Sequence, residues 1–227
     1  MPTETFFNLP KEKQARILKA AKQEFSRVGL NEASIARIIK EADISRGSFY
    51  QYFTDKEDLY YYYFQTLKSS GHRYLIQTIE EKEGDLFLAI EEYFMRLAPE
   101  IFDGEDRQFY QNLFMNLDAH GFQRMVPQLE KKVATKIKPK RCPYQQKHFS
   151  VLKVVDTKKL KINNEAELEI LFKMLMHVIF STIAEGYRLR KEEPTTTLEP
   201  IIQNFMLKLN WLKDGARRKE ETDDQTL

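Results

Sequence analysis

Polar side chains between Ala42 and Phe64 have the chemistry to bind nucleic acid. Arg46 can donate two hydrogen bonds to guanine O6 and N7, and Gln51 can make a two-point contact with adenine N6 and N7. Serine and tyrosine hydroxyls and lysine ammonium groups more often bind phosphate oxygens. Such side chains read DNA only if one structural element presents them together.

That element is predicted to be the second helix of a helix-turn-helix. Residues 34–53 favour two short helices, separated by a tight turn at the tripeptide DIS. Asp43 tolerates the left-handed conformation that such a turn needs, and Ser34 and Ser45 are suited to cap the two helices. An α-helix fits the major groove of B-DNA when a second helix holds it there.

The second short helix is predicted to have one apolar and one polar face. Phe49 and Phe53 lie one turn apart and are expected to pack inward against the isoleucines of the first helix. Gly47 lacks a side chain where the backbone could approach a phosphate closely. The side chains left outside are Arg46, Ser48, Gln51 and Tyr52.

The rest of the chain also has helical periodicity, and we predict an all-α fold. One helix is expected to begin at Pro10 and to end at Gly29, and another to open with a capping box at Thr54–Glu57. Breaks are predicted at Glu83–Asp85, at Phe102–Asp106 and near Gly121. The remaining expected helices are Leu86–Ile101, Phe109–Leu117, Phe122–Ile137, a weaker one from about Tyr144 to Asp156, and two long ones from Asn164 to about Arg190 and from Leu198 to about Lys213.

Composition limits the class of protein. The chain has 227 residues, 42% of them hydrophobic, but its apolar runs are too short to span a membrane and its first residues lack the plan of a signal peptide. Its single cysteine, Cys142, excludes an intrachain disulfide framework, and we expect a cytoplasmic protein. The net charge of +2 does not by itself indicate a nucleic-acid partner, although residues 11–56 carry ten Lys and Arg against six Asp and Glu.

Catalytic motifs are missing from the sequence. We find no phosphate-binding glycine loop, no nucleophile elbow and no His-Glu metal motif, and the four histidines lack the spacing of metal ligands. His177 lies in an apolar run, which is more typical of a core histidine than of a metal ligand. We therefore predict that the protein is not an enzyme and needs no cofactor or metal.

The stretch FSRVGLNEASIARIIKEADISRGSFYQYFTDKEDLY resembles the DNA-binding domain of the tetracycline-repressor (TetR) family of bacterial transcription regulators. The resemblance covers about fifty residues, including the small residue after Arg46, the Tyr-x-Tyr-Phe at 50–53 and the Lys-Glu pair at 56–57. The chain departs from the family pattern at Asp43, where glycine is usual, and at Ile39, where alanine is usual.

The resemblance implies a helix-turn-helix head at residues 8–55, a helical effector-binding and dimerisation body at 56–214, and a flexible tail at 215–227. Any one of the implied DNA contacts could instead be an ordinary solvated side chain. The residues implied to face DNA are Ser34, Arg37, Ser45, Arg46, Gly47, Ser48, Tyr50, Gln51 and Tyr52, with Lys56 on a backbone phosphate.

The implied function is sequence-specific binding to a double-stranded, palindromic or pseudopalindromic operator. The protein would act as a homodimeric repressor, released from its operator by a small, mostly apolar or aromatic ligand. The alternative is a helical module that uses the same helix pair for protein contacts and does not bind specific DNA. Tyr60 to Tyr63 point in four directions around their helix, so they are expected to lie in the core and in the seam between head and body.

The dimer interface is expected on the two last helices, as in the family, with small residues Ser181, Ala184 and Gly186 allowing close approach. The alternative is that both apolar stripes belong to the chain's own core. The residues predicted for the interface are Leu168, Leu171, Leu175, Ile179, Ile183, Ile201, Ile202, Phe205, Leu209 and Leu212.

The effector pocket is expected in the body, where bulky and adaptable side chains come from several helices. The alternative is plain core, and the family resemblance favours a cavity. Asn112, Asn116, His177 and Glu185 could supply polar contacts. The predicted lining residues are Tyr93, Phe94, Phe109, Tyr110, Phe114, Met115, Met174, His177 and Phe180.

Overall fold

The structure is a computed structural model that describes residues 2–118, Gly121 and 151–216. These residues confirm the all-α fold. Two short 3-10 turns, at Val151–Lys153 and Thr157–Lys159, precede the long C-terminal helices. The α-helices are α1 (Glu4–Phe7), α2 (Lys11–Arg27), α3 (Ile35–Glu41), α4 (Arg46–Tyr52), α5 (Lys56–Glu81), α6 (Leu86–Asp103), α7 (Arg107–Met115), α8 (Glu165–Glu192) and α9 (Glu199–Ala216).

The helix-turn-helix is formed by α3 and α4. The turn between them depends on Asp43, whose φ of 52° confirms the predicted left-handed conformation. Phe49 and Phe53 are fully buried, as the apolar pattern predicts. Ser45 caps α4, because its Oγ accepts a hydrogen bond from the backbone N–H of Ser48 at 3.1 Å.

Two predicted caps differ in the structure. Ser34 precedes α3, but its side chain makes no capping hydrogen bond, and the carboxylate of Glu24 accepts from the backbone N–H of Ser34 instead, at 2.8 Å. The cap of α5 is Asp55 and not Thr54, since Asp55 Oδ1 accepts from the backbone N–H of Asp58 at 2.8 Å. Each carboxylate puts a negative charge at the positive end of a helix.

Helix α5 lies between head and body, and its four consecutive tyrosines are all buried, as predicted. The ring of Tyr62 packs against Phe53, at a centroid distance of 6.5 Å. The ring of Tyr60 contacts both Phe25 of α2, at 4.8 Å, and Phe109 of α7, at 5.3 Å. One helix therefore supplies side chains to both parts of the molecule.

The body consists of α6 to α9. The predicted break at Glu83–Asp85 is present: Gly84 has a φ of 80°, and Asp85 caps α6. Asn164 caps α8 as predicted, by accepting from the backbone N–H of Glu167 at 3.0 Å. The core includes a stacked pair, Phe94 on Phe205, with ring centroids 3.8 Å apart.

Some predicted elements fall outside the described residues. These are the helical stripe Phe122–Ile137, the helix predicted from about Tyr144 as far as residue 150, Cys142, and residues 217–227 of the tail. Residues 151–153 form a 3-10 turn and not the end of an α-helix. Residues 215 and 216, at the predicted start of the tail, belong to α9.

The predicted dimer-interface residues lie mostly inside the chain's own core, which corrects that prediction. Gly186 also faces inward, because a Cβ added there would come within 2.6 Å of Phe102. Helices α8 and α9 carry apolar residues on more than one face. Periodicity alone does not tell which face packs inside the chain, and the predicted residues lie on the face that packs against the rest of the body. Buried in this way are Leu168, Leu171, Leu175, Ile179, Ile183, Ile201, Phe205 and Leu209, whereas Ile202 and Leu212 are half-buried.

None of the helices in the described part of the chain is long and apolar enough to cross a membrane.

Candidate nucleic-acid interface

The outward face of α4 presents a contiguous polar surface. Arg46, Tyr50 and Gln51 are exposed, and Tyr50 keeps 46% of its surface open. The guanidinium carbon of Arg46 lies 5.7 Å from the centre of the Tyr50 ring, one turn along the same helix. This cation–π pair holds a donor group and a large flat side chain side by side on the outer surface.

Gly47 faces open space in the free protein. A Cβ added at this position would meet only Ser45 Oγ, at an ordinary contact distance of 3.9 Å. The chain's own packing therefore does not require a glycine here. A closely approaching external backbone, such as that of DNA, would require one.

The N-terminal ends of the two helices add further polar groups. Ser45 is exposed, and its Oγ lies 2.9 Å from the Oγ of half-buried Ser48. Arg37 is exposed on α3, and Ser34 is half-buried just before it. These residues are at least partly accessible on the surface of the helix pair.

Tyr52 is not on this surface, which corrects the prediction. Only 4% of the residue is exposed. Its ring packs against Phe6 of α1, with centroids 6.4 Å apart, and the Lys13 ammonium group lies 5.7 Å from its centre. Helix α1 covers this side of α4, and its four residues have no periodicity from which this contact could be predicted.

Lys56 also lies differently from the expectation. Its ammonium group donates to the backbone carbonyls of Asn31, at 2.7 Å, and Ala33, at 3.2 Å. The side chain therefore joins the first turn of α5 to the loop between α2 and α3. In the free protein the half-buried side chain stabilises that loop.

Glu24 of α2 binds the N-terminal end of the helix pair through its carboxylate. The carboxylate is buried and accepts two hydrogen bonds from Arg27, at 2.8 and 3.0 Å, besides the one from Ser34. The hydrogen bond from Arg27 is the main reason why the pKa of Glu24 is lowered from its ordinary value, against the effect of burial. The sequence pattern did not single out Glu24, since a glutamate one turn before an arginine is common on solvated helices.

The predicted effector residues do not all lie in the interior of the body. Met174 and His177 lie on the exposed face of α8, so they line no interior cavity, and Phe94 is taken up by its stack on Phe205. Met115 is half-buried. The buried remainder is Tyr93, Phe109, Tyr110, Phe114 and Phe180.

Three of the polar groups suggested for the effector have partners within the chain. Asn112 donates to the carbonyls of Phe25 and Ser26, at 2.9 and 3.0 Å, near the C-terminal end of α2. Asn116 donates to the Asn112 carbonyl, and Glu185 pairs with Lys208. The contacts of Asn112 connect α7 of the body directly to the head.

A second polar contact lies close to the Asn112 contact. Asp106 accepts a hydrogen bond from the Tyr63 hydroxyl at 2.6 Å and forms an ion pair with Lys22 of α2 at 3.0 Å. Burial, reinforced by Asp106, raises the pKa of Tyr63, so its hydroxyl stays a neutral donor. Three helices, α2, α5 and α7, therefore meet at one carboxylate.

Comparison with known families decides the family. The family model described as "Tetracyclin repressor-like, C-terminal domain" matches residues 85–216, more than half of the chain. The description "Bacterial regulatory proteins, tetR family" matches residues 17–63. The chain belongs to the TetR family. The second match includes all of α3 and α4, whereas α1 lies outside both matches.

Individual relatives, named as HTH-type transcriptional regulators, align with the chain over short segments. YdgC of Bacillus subtilis, an uncharacterized HTH-type transcriptional regulator, is 43% identical over 22% of this chain and 25% of its own length. HbdR of Aromatoleum sp. is 37% identical over 34% of this chain and 32% of its own. YfiR of Bacillus subtilis is 30% identical over 42% and 45%. The chain thus spans less than half of the length of these relatives.

Solved structures agree with the TetR fold over almost the whole chain. SmeT, described as the repressor of the Stenotrophomonas maltophilia multidrug efflux pump SmeDEF, superposes with a TM-score of 0.58 at 15% identity, covering 97% of this chain and 96% of SmeT. A TetR family regulator from Marinobacter aquaeolei gives a TM-score of 0.50 at 17% identity, covering 91% and 96%. At these identities the likeness shows the fold.

Proposed function

We propose that this protein is a sequence-specific DNA-binding transcription regulator. The observation that supports the proposal best is the outer face of α4, where Arg46, Tyr50 and Gln51 are exposed on the same helix as a glycine that the chain's own packing does not need. Arginine and glutamine side chains form hydrogen bonds with base edges, and serine and tyrosine hydroxyls form hydrogen bonds with phosphate oxygens. The proposed contacts are Ser34, Arg37, Ser45, Arg46, Gly47, Ser48, Tyr50 and Gln51, without the buried Tyr52 and the internally bonded Lys56.

Selection from random double-stranded oligonucleotides tests this function directly. The protein should enrich a sequence with two inverted half-sites, because a symmetric dimer imposes its symmetry on the DNA. Gln51→Ala should then cost roughly 1–3 kcal/mol at particular base pairs and little at others. Enrichment of no sequence, with DNA binding that depends only on salt, would contradict the proposal and favour a protein-interaction module.

The protein is further proposed to act as a homodimer through the outward faces of α8 and α9. A seven-residue recognition helix has too little surface for operator-level affinity, so heads of this kind work in pairs. Ile170 and Met174 are exposed one turn apart on α8, and Leu207 and Trp211 on α9. Trp211 keeps 68% of its surface exposed, which is costly for a large apolar side chain unless a partner covers it.

Regulation by a small ligand that binds the body is proposed. We infer that the protein represses transcription when no ligand is bound. We also infer that it acts in the cytoplasm. A ligand can release DNA only if it binds better to a conformation in which the two recognition helices no longer match the grooves. Asn112 and Asp106 contact α2, and a movement of the body would reach the head through these contacts. Tyr93 and Tyr110, which are buried in the body, are proposed to contact the ligand.

Thermal-shift screening of apolar and aromatic compounds tests the ligand proposal. A hit should raise the unfolding temperature and lower the affinity for the selected DNA sequence. Asn112→Ala should reduce the effect of the hit on DNA affinity while leaving its binding intact, because the body is then less firmly joined to α2. Hits that bind without changing the DNA affinity would contradict regulation by release.

A further inference from the structure

The short helix α1 lies across the recognition helix and is outside the region that matches the TetR descriptions. Its residue Phe6 is fully buried. The Phe6 ring packs against Phe53, at a centroid distance of 5.0 Å, and against Tyr62 of α5, at 5.4 Å. Phe6 therefore fills the space between the end of α4 and the helix that leads into the body.

Thr3 donates hydrogen bonds to backbone carbonyls at the C-terminal end of α4. Its backbone N–H donates to the Tyr52 carbonyl at 2.9 Å, and its hydroxyl donates to the Gln51 carbonyl at 2.5 Å. The last carbonyls of a helix have no partner within the helix, and a helix of seven residues is too short to be stable alone. Two hydrogen bonds from outside α4 thus hold the turn that contains Gln51.

Helix α1 is itself anchored on its other side. Gln14 of α2 is buried, and its amide donates to the carbonyl of Leu9 at 2.8 Å and to that of Phe7 at 3.3 Å. Phe7 also contacts Tyr62, with ring centroids 5.8 Å apart. The segment is therefore fixed to α2 and α5 as well as to α4.

We propose that residues 2–9 form an N-terminal brace that sets the orientation of the recognition helix, with Thr3 and Phe6 as positioning residues for DNA reading. The proposal rests on the proposed DNA-binding function. The brace touches no DNA itself. It acts by holding the backbone of Gln51 and Tyr52, so the side chain of Gln51 meets its base in one geometry.

Amide hydrogen exchange of the free protein tests the brace without any DNA. Thr3→Pro removes both donors, and the φ of −74° at this position suits proline. Peptides covering α4 should exchange at least about five-fold faster in this variant than in the wild type, the ratio expected for one lost hydrogen bond. Thr3→Ser keeps both donors and should exchange like the wild type, and peptides from α8 should be unchanged in both variants.

DNA affinity tests the positioning role. Thr3→Pro should bind the selected sequence about five-fold more weakly, with unchanged affinity for random DNA, because nonspecific binding does not depend on the orientation of Gln51. Phe6→Ala should act in the same direction. Unchanged amide exchange of α4 in Thr3→Pro and in Phe6→Ala would overturn the brace. Faster exchange of α4 with unchanged affinity for the selected sequence would overturn its role in DNA reading.

A third result separates this proposal from the proposed function. If the wild-type protein enriches no DNA sequence, the DNA-binding function is wrong and the role of the brace in DNA reading is wrong with it. The exchange rates of α4 then still decide whether Thr3 and Phe6 hold this helix.

Discussion

The ammonium group of Lys56 lies 2.7 Å from the carbonyl oxygen of Asn31, twenty-five residues earlier in the chain. Lys56 is the first residue of α5, where the helix dipole disfavours a cation. The hydrogen bonds to Asn31 and Ala33 offset that cost and tie the loop before α3 to the helix that leads into the body.

Replacing Lys56 should therefore affect stability more than the electrostatics of DNA binding. We expect Lys56→Met to lower the free energy of unfolding by about 1 kcal/mol, because the loop carbonyls lose their donor. The dependence of DNA affinity on salt should keep its slope, since the ammonium group neutralises no phosphate. Urea unfolding and salt titrations measure the two effects, with Lys19→Met on the exposed face of α2 as the control. A slope that falls by about one unit, with unchanged stability, would show that Lys56 binds phosphate.

Gly47 should separate stability from DNA binding. Gly47→Ala has room for its methyl group and should raise the free energy of unfolding by up to about 1 kcal/mol, since alanine favours a helix over glycine. The same methyl group should abolish binding to the selected DNA if the backbone of α4 approaches a phosphate there. Gly215→Ala is the matched control, because a Cβ at Gly215 in α9 would also have no close neighbour. Equal DNA affinity in the two variants would contradict the close approach at Gly47.

Trp211 is the single tryptophan of the chain and should report on dimerisation. Trp211→Glu should convert the dimer into a monomer at micromolar concentration, because a charge would be buried without a partner. Analytical ultracentrifugation measures this, and dilution of the wild type should shift tryptophan emission toward that of an exposed indole. Leu88→Glu, at an exposed leucine of α6, should leave the dimer intact. A wild type that sediments as a monomer would contradict the interface.

Glu24 should make the stability of the head depend on acid pH. The hydrogen bond from Arg27, above all, lowers the pKa of this buried carboxyl, so its ionised form stabilises the folded state. That contribution is complete above the pKa of glutamate in the unfolded chain, about 4.3, and is lost as the pH falls toward the lowered value in the folded state. We expect the difference in unfolding free energy between wild type and Glu24→Gln to shrink between about pH 5 and pH 3. Denaturant unfolding across this range would contradict the assignment if the difference stayed constant.

Local signals in the sequence determined the helical architecture. The 3.6-residue period indicated helices α2 to α9 but not the four-residue α1, and the turn at Asp43 and the caps at Ser45 and Asn164 follow from chemistry within four residues. The burial of Tyr60 to Tyr63 was also predictable, because four consecutive aromatic residues leave a helix no polar face. The exposed positions of Arg46 and Gln51 followed from the inward pair Phe49 and Phe53.

The tertiary structure alone decided which of several suitable faces is covered. Tyr52 is buried because α1 packs over it, and a four-residue helix has no periodicity to read. Helices α8 and α9 carry apolar residues on two faces, so the sequence could not show that Leu175 faces the core while Trp211 faces outward. Lys56 binds the carbonyl of Asn31 because folding brings two distant segments together, and such contacts depend on the packing of whole helices and not on the neighbouring sequence.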